Sequence, residues 1–164
     1  MKKSVYIETS IPSYLTARPN RDLRAAAWQQ LTVQWWDEAR AGYDLFTSEL
    51  ALLEASAGNP EAAKRRLESL QDIPELEIDE EVQKLAEQLI AESGVPATAE
   101  ADALHIAVAA IHRMDYLLTW NCRHIGNAAK KPIIRAICKN AGYPYPEICT
   151  PMELLPENES DVPR

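Results

Sequence analysis

The sequence predicts an α/β fold, a three-layer sandwich with a mostly parallel central sheet of four to five strands, and three observations lead there. Short runs rich in β-branched and aromatic residues alternate with longer stretches of helical periodicity. Turn and cap residues punctuate the alternation, which implies right-handed βαβ crossovers with helices on both faces of the sheet. The chain has 164 residues and 46% hydrophobic content, the size of one ordinary domain with a self-sufficient core.

Ser4-Val5-Tyr6-Ile7-Glu8, followed by Thr9-Ser10-Ile11-Pro12, reads as a buried strand ending in a turn, with Glu8 at its carboxyl end. From Asp22 to Ala41, Leu23, Trp28, Leu31 and Trp35 fall close to one helical stripe, and Gly42 stops the helix. Tyr43 to Thr47 is a second strand, after which Ser48 caps a helix through Ala57 that Gly58 ends. Pro60 to Leu70 makes a further helix, and Leu76-Glu77-Ile78 a short third strand. Val82, Leu85, Ala86, Leu89 and Ile90 match a helical template that Ser93-Gly94-Val95-Pro96 closes. Thr98 is placed to cap a helix from Ala99 to Arg113, apolar nearly all round and therefore buried against the sheet, with Asp102 in its first turn. Tyr116 to Thr119 is the fourth strand, Lys130 to Asn140 a helix, and Glu147 to Thr150 an edge strand. One domain over residues 1–155 is expected, without internal repeats, and 156–164, polar and proline-punctuated, is expected as a loose tail.

Composition excludes several classes. No apolar stretch approaches the ~18 residues of a membrane span, and Met1-Lys2-Lys3-Ser4 runs into the first strand without a signal-peptide core, so a cytoplasmic protein is expected. Cys122, Cys138 and Cys149 share no CxxC or CxxH spacing, which argues for reduced thiols over a disulfide or zinc framework. No GxGxxG follows the first strand, against a dinucleotide site. Net charge of −8 counts against a generic nucleic-acid binder, yet Lys64-Arg65-Arg66 and the Arg113 to Lys139 region carry basic residues around an acidic middle.

Ligands of open parallel sheets bind outside the strands' carboxyl ends. Four residues map to that edge: Glu8, Glu54 in the helix after strand two, Asp102 opening the helix before strand four, and Asn121 after that strand. Three carboxylates brought near one another repel unless a cation offsets them, and oxygen ligands select a hard one, Mg²⁺ or Mn²⁺. Each residue also has a plainer reading. Glu8 could be satisfied by the amides of the next loop, and Glu54 by solvent. Asp102 could serve the helix dipole, although an acid on an Ala-rich helix asks for a partner. Asn121 has ligand and turn roles open equally. His105, three residues beyond Asp102, either reaches the site or hydrogen-bonds that carboxylate. His124 could touch substrate, and His112 and His124 could equally be ordinary partly exposed histidines.

Val5-Tyr6-Ile7-Glu8-Thr9-Ser10, Thr47-Ser48 with Glu54 six residues on, Asp102-Ala103-Leu104-His105-Ile106-Ala107 and Leu117-Leu118-Thr119-Trp120-Asn121 resemble the four motifs of PIN-domain ribonucleases. The ending Ile148-Cys149-Thr150-Pro151-Met152-Glu153-Leu154 resembles the closing segment of toxin-type, VapC-like members. The resemblance implies a metal-dependent endoribonuclease, the toxin of a toxin–antitoxin pair, usually homodimeric and silenced by a small antitoxin. Its site would use Glu8 and Asp102 as primary metal ligands and Glu54 through water or toward a second ion. Ser10, Thr119 and Asn121 would position water or phosphate, and His124 would touch substrate. Two residues depart from the family pattern, Glu8 and Asn121, where Asp is usual. Glu reaches one methylene further, and Asn coordinates without charge. Two alternatives follow: a catalytically weak or inactive PIN-like module that binds RNA or protein, and a small-molecule phosphohydrolase, which the lack of an Asp-x-Asp after strand one disfavours. Adjacent Trp35 and Trp36 cannot both face inward on one helix, so one is available for a dimer or antitoxin contact.

Overall fold

Five parallel strands form the sheet: β1 (Lys3–Ile7), β2 (Tyr43–Ser48), β3 (Glu75–Leu76), β4 (Tyr116–Leu118) and β5 (Glu147–Cys149). Their order is β3-β2-β1-β4-β5. The computed structural model describes residues 1–157, so the tail expected over 156–164 lies outside the described residues from 158 on. Central β1 pairs Val5 with Leu45 of β2 and Tyr6 with Leu117 of β4. The chain steps outward from β1 to β2 and β3, then crosses back for β4 and β5, so the order reverses between β1 and β4. At such a reversal the loops diverge and leave a crevice beyond the carboxyl ends of the two strands.

Alternation with period two divides the strand side chains between two cores. Val5, Ile7, Leu118 and Cys149 join one with Ile11, Trp35 and Leu70. Tyr6, Leu117 and Ile148 join the other with Leu85, Ile106 and Ile134. Helices α1 (Ser10–Thr16), α2 (Leu23–Gln34) and α4 (Pro60–Leu70) supply the first core, and the short α3 (Glu49–Ala55) adds Ala55 to it. Helices α5 (Glu80–Ala91), α6 (Glu100–Ile111) and α7 (Lys131–Asn140) cover the other face. Every residue of α6 from His105 to Ala110 is buried, as its nearly all-round apolar pattern requires.

Several elements differ from expectation. The turn expected over residues 9–12 is instead the start of α1; Pro12 lies in its first turn, where no intrahelical N–H is missed, and the Ser13 and Thr16 hydroxyls bond back to the Thr9 and Pro12 carbonyls. The helix expected to Ala41 ends at Gln34 and continues as a wide π turn, Trp35–Ala39, and a 3-10 turn, Arg40–Gly42. Trp35 is thereby fully buried, while Trp36 is half-buried beneath the Arg40 guanidinium, 4.2 Å from the ring centre. Leu23, placed on the apolar stripe, is exposed because the helix starts beyond the edge of the core. Ser48 caps α3 as expected, its Oγ accepting the Ala51 N–H at 3.2 Å. Thr98 caps nothing: α6 begins after Ala99, with no side-chain cap. The third strand sits at Glu75–Leu76 because the Thr47 N–H already reaches the Pro74 carbonyl at 2.9 Å. Among the described residues no helix is long and apolar enough to cross a membrane.

Candidate active site

Glu8 follows β1 directly, and its N–H still pairs with the Leu118 carbonyl at 3.3 Å, so it continues the register with β4. It is only 6% exposed, and a carboxylate so enclosed requires donors. Oε2 accepts the Ser10 N–H at 3.1 Å, the Ser10 hydroxyl at 2.5 Å and the Thr119 hydroxyl at 2.8 Å. Each hydroxyl is fixed in turn by a backbone donor, Trp120 N–H to Ser10 Oγ at 2.8 Å and Asn121 N–H to Thr119 Oγ1 at 2.9 Å. Ser10 and Thr119 therefore position Glu8, each donating its proton to the carboxylate and accepting one backbone N–H.

The chain of contacts continues beyond β4. Asn121 Oδ1 accepts the His124 N–H at 3.1 Å, so the turn role is the one the residue displays. His124 Nδ1 stands 3.0 Å from Asp102 Oδ2, and because an ionised carboxylate only accepts, Nδ1 carries the hydrogen. Glu8, Ser10, Thr119, Asn121, His124 and Asp102 thus form one hydrogen-bonded series along the crevice between β1 and β4.

Glu54 belongs to a second series. Its Oε1 accepts the Thr9 hydroxyl at 2.8 Å and His105 Nε2 at 2.5 Å. Nε2 donates to Glu54, and Nδ1 of the same ring is hydrogen-bonded to the Tyr6 hydroxyl, 2.7 Å away. The Tyr6 hydroxyl is also hydrogen-bonded to the Ser48 hydroxyl at 2.7 Å, and Ser48 Oγ accepts the Ala51 N–H, which extends the series to the start of α3. Burial tends to raise the Glu54 carboxyl, but the hydrogen bond and electrostatic pull of His105, with the Thr9 hydroxyl, outweigh it and leave the group below its ordinary value. Burial drives the Tyr6 phenol far up, so it keeps its proton and its donor role.

Of the two roles open to His105, reaching the site or hydrogen-bonding Asp102, the ring takes the first, meeting Glu54 and not Asp102. From its place in α6 it meets Tyr6, which period two points to the same face of the sheet. Tyr6, Thr9 and Ser48 were not anticipated as site residues; the alternation of β1 was the available signal for Tyr6. Of the basic flank, Arg65 and Arg66 turn inward, donating to the carbonyls of Thr16 at 3.2 Å and Ala55 at 2.9 Å. Cys138 and Cys149 are buried free thiols, pushed by burial up to about 11 and about 12, while Cys122 is exposed.

Whether these residues suit the hard cation implied by the family resemblance can be read from the carboxylates. Glu8, Glu54 and Asp102 each use one oxygen for the protein donors above; Glu8 Oε1, Glu54 Oε2 and Asp102 Oδ1 accept no hydrogen bond among the described residues. None of the three is a sealed, unpartnered atom, so each reaches solvent. Among the described residues, however, no group of three His, Cys, Asp or Glu side chains gathers tightly enough to enclose a metal. Mg²⁺ does not need such a cage, since it usually keeps several waters and takes one or two carboxylates plus substrate phosphate. The chemistry of the donors suits a hard ion, since Glu8, Glu54 and Asp102 each keep one carboxylate oxygen free of protein hydrogen bonds among the described residues.

The family model described as PIN domain matches residues 5–126, a span that contains Glu8, Glu54, Asp102, Asn121 and their hydrogen-bond partners. No curated protein matches the chain.

Proposed function

Because the chain belongs to the PIN-domain family, whose members are generally nucleases that bind RNA and use divalent metals, we propose that it is a divalent-metal-dependent endoribonuclease hydrolysing RNA phosphodiester bonds. The observation that carries this reading is the continuous series from Glu8 through Thr119, Asn121 and His124 to Asp102, lying where the strand order reverses. Glu8 and Asp102 would hold the cation, each with one oxygen fixed by the protein and one left for the ligand. When bound, the cation supplies charge compensation for the carboxylates and for the nonbridging phosphate oxygens as the phosphodiester is attacked. His124 orients Asp102 through Nδ1 and presents Nε2, which has no partner among the described residues, toward solvent and substrate. Thr9 and His105 keep Glu54 ionised beside the crevice, able to orient a water molecule.

The test is cleavage of mixed RNA by the purified protein with Mg²⁺ or Mn²⁺. Cleavage should vanish on chelation, and Asp102→Asn should lose more than the ~100-fold that marks the upper end for merely supporting residues. A protein inert toward RNA with Mn²⁺, or an Asp102→Asn variant of full activity, overturns the reading.

The finer reading, a homodimeric toxin-type ribonuclease restrained by a small antitoxin, is supported by the likeness of the segment from Ile148 to Leu154. Expression of the chain alone should then arrest growth, Asp102→Ala should relieve the arrest, and a small DNA-binding protein should be encoded just upstream. Trp36, half-buried, is a candidate contact, and its replacement should change the oligomeric state or antitoxin affinity. The weak or inactive binding module stands as a second reading, favoured by the lack of a closed three-residue metal group among the described residues; RNA binding without metal-dependent cleavage would select it.

A further inference from the structure

Beside the Glu8–Asp102 crevice lies a cavity of about 510 Å³ that neither carboxylate lines. One wall is the loop Ser93–Ala97, and the other carries Arg123, His124, Asn127 and Lys130. The loop is pressed onto the helices beneath it: a Cβ on Gly94 would stand 3.0 Å from Ile137 Cδ1 and 3.2 Å from the Leu89 carbonyl. Lys130 Nζ donates to the Ser93 carbonyl at 3.2 Å, closing the far end, and the Asn127 amide holds its own turn by accepting from Ala129 N–H and donating to the Arg123 carbonyl. The cavity is therefore preformed, with an apolar floor at Ile90 and Pro96.

Its charge is opposite to that of the chain. Net charge is −8, yet no acidic residue lines this cavity, while Arg123 and Lys130 both do. Neither forms an ion pair among the described residues, and the one contact of Lys130 Nζ is to a neutral carbonyl. Two uncompensated cations over an apolar floor suit a group with an anionic end and a flat apolar body. His124 lines the cavity and also hydrogen-bonds Asp102, so an occupant would be one side chain away from the proposed reacting phosphate.

We propose that this cavity is the subsite for the nucleotide next to the scissile phosphodiester, with Arg123 and Lys130 on its phosphate and its base on the Ile90–Pro96 floor. The subsite rests on the nuclease reading for what it serves, but its binding can be measured without cleavage. The probe is a fluorescently labelled, 2′-O-methylated RNA oligonucleotide titrated in chelator over a range of salt. Arg123→Ala and Lys130→Ala should each weaken binding several-fold and lower the salt slope by about one. Ala97→Trp, which fills the cavity without altering charge, should weaken binding and leave the slope unchanged. Lys84→Ala on α5 removes the same charge away from the cavity and should do neither. Thermal unfolding of each variant shows that it is folded, and all replaced side chains are at the surface or cavity edge.

Failure of the wild type to bind, binding by the cavity variants equal to wild type, or an equal loss in Lys84→Ala overturns the subsite. Binding through the cavity without any Mn²⁺-dependent cleavage keeps the subsite and removes the nuclease reading. Cleavage with unchanged KM in Arg123→Ala, Lys130→Ala and Ala97→Trp does the reverse.

Discussion

The Ser10 and Thr119 hydroxyls join a carboxylate to a strand end, each donating to Glu8 Oε2 while accepting a backbone N–H beyond β4. A group that both donates and accepts cannot be replaced by an isostere without leaving two partners unmet. Thr119→Val should therefore reduce RNA cleavage by about 10–100-fold, the usual effect of removing a residue that orients a ligand carboxylate. Steady-state kinetics at several Mn²⁺ concentrations would measure it, and unchanged activity would show that Glu8 needs no such support. Tyr6 and His105 make a second residue-scale case, buried and mutually dependent. Removing either leaves a buried polar atom unpaired, so Tyr6→Phe and His105→Leu should each cost about 1–3 kcal/mol. Because the two share one contact, the double variant should lose less than the sum in urea unfolding; strict additivity would refute the relay.

Elements are fastened at their ends by similar contacts. Asp115, ahead of β4, accepts the Ser4 N–H at 2.9 Å and the Ser4 hydroxyl at 3.2 Å, while Lys3 Nζ stands 3.4 Å from its other oxygen. The Ser4 N–H, opposed by burial and joined by the Ser4 hydroxyl and Lys3, holds the Asp115 carboxyl below its ordinary value. A carboxyl lowered in the folded state binds fewer protons there than in the unfolded chain. Its contribution is thus present above the unfolded value, near 4, and fades as pH falls through the lower folded value. Asp115→Asn should be less stable than wild type at pH 7, with the gap shrinking below about pH 4; a gap constant from pH 7 to 3 would contradict this origin. At the α5–α7 junction Gly94→Ala presses a methyl on Ile137 and the Leu89 carbonyl and should cost about 1–3 kcal/mol by thermal denaturation. The sequence misses α1 for an element-scale reason: it has seven residues, too few for a helical period to stand out, and it carries a proline.

In the whole molecule β1 belongs to both cores, with Val5 and Ile7 on one face and Tyr6 on the other. All four tryptophans report on the first core, Trp35 and Trp120 within it and Trp28 and Trp36 against it. Since neither core survives without β1, tryptophan fluorescence and far-ultraviolet circular dichroism should show one coincident unfolding transition; two separated transitions would mean that the faces unfold independently. The sequence by itself determined the alternation of strands and helices, the parallel sheet, the cap at Ser48, and the placing of Glu8 and Asn121 beyond strand ends with Asp102 in the first turn of a helix. Those features follow from periodicity and local backbone chemistry, which neighbouring residues contain. Only the tertiary structure decided that Thr119 meets Glu8, that His105 serves Glu54 and His124 serves Asp102, and that Arg123 and Lys130 face a cavity free of acids. The physical reason is register: the pairing of β1 with β4 joins residues more than a hundred positions apart, and a hydrogen bond's direction depends on that alignment, which local pattern does not encode.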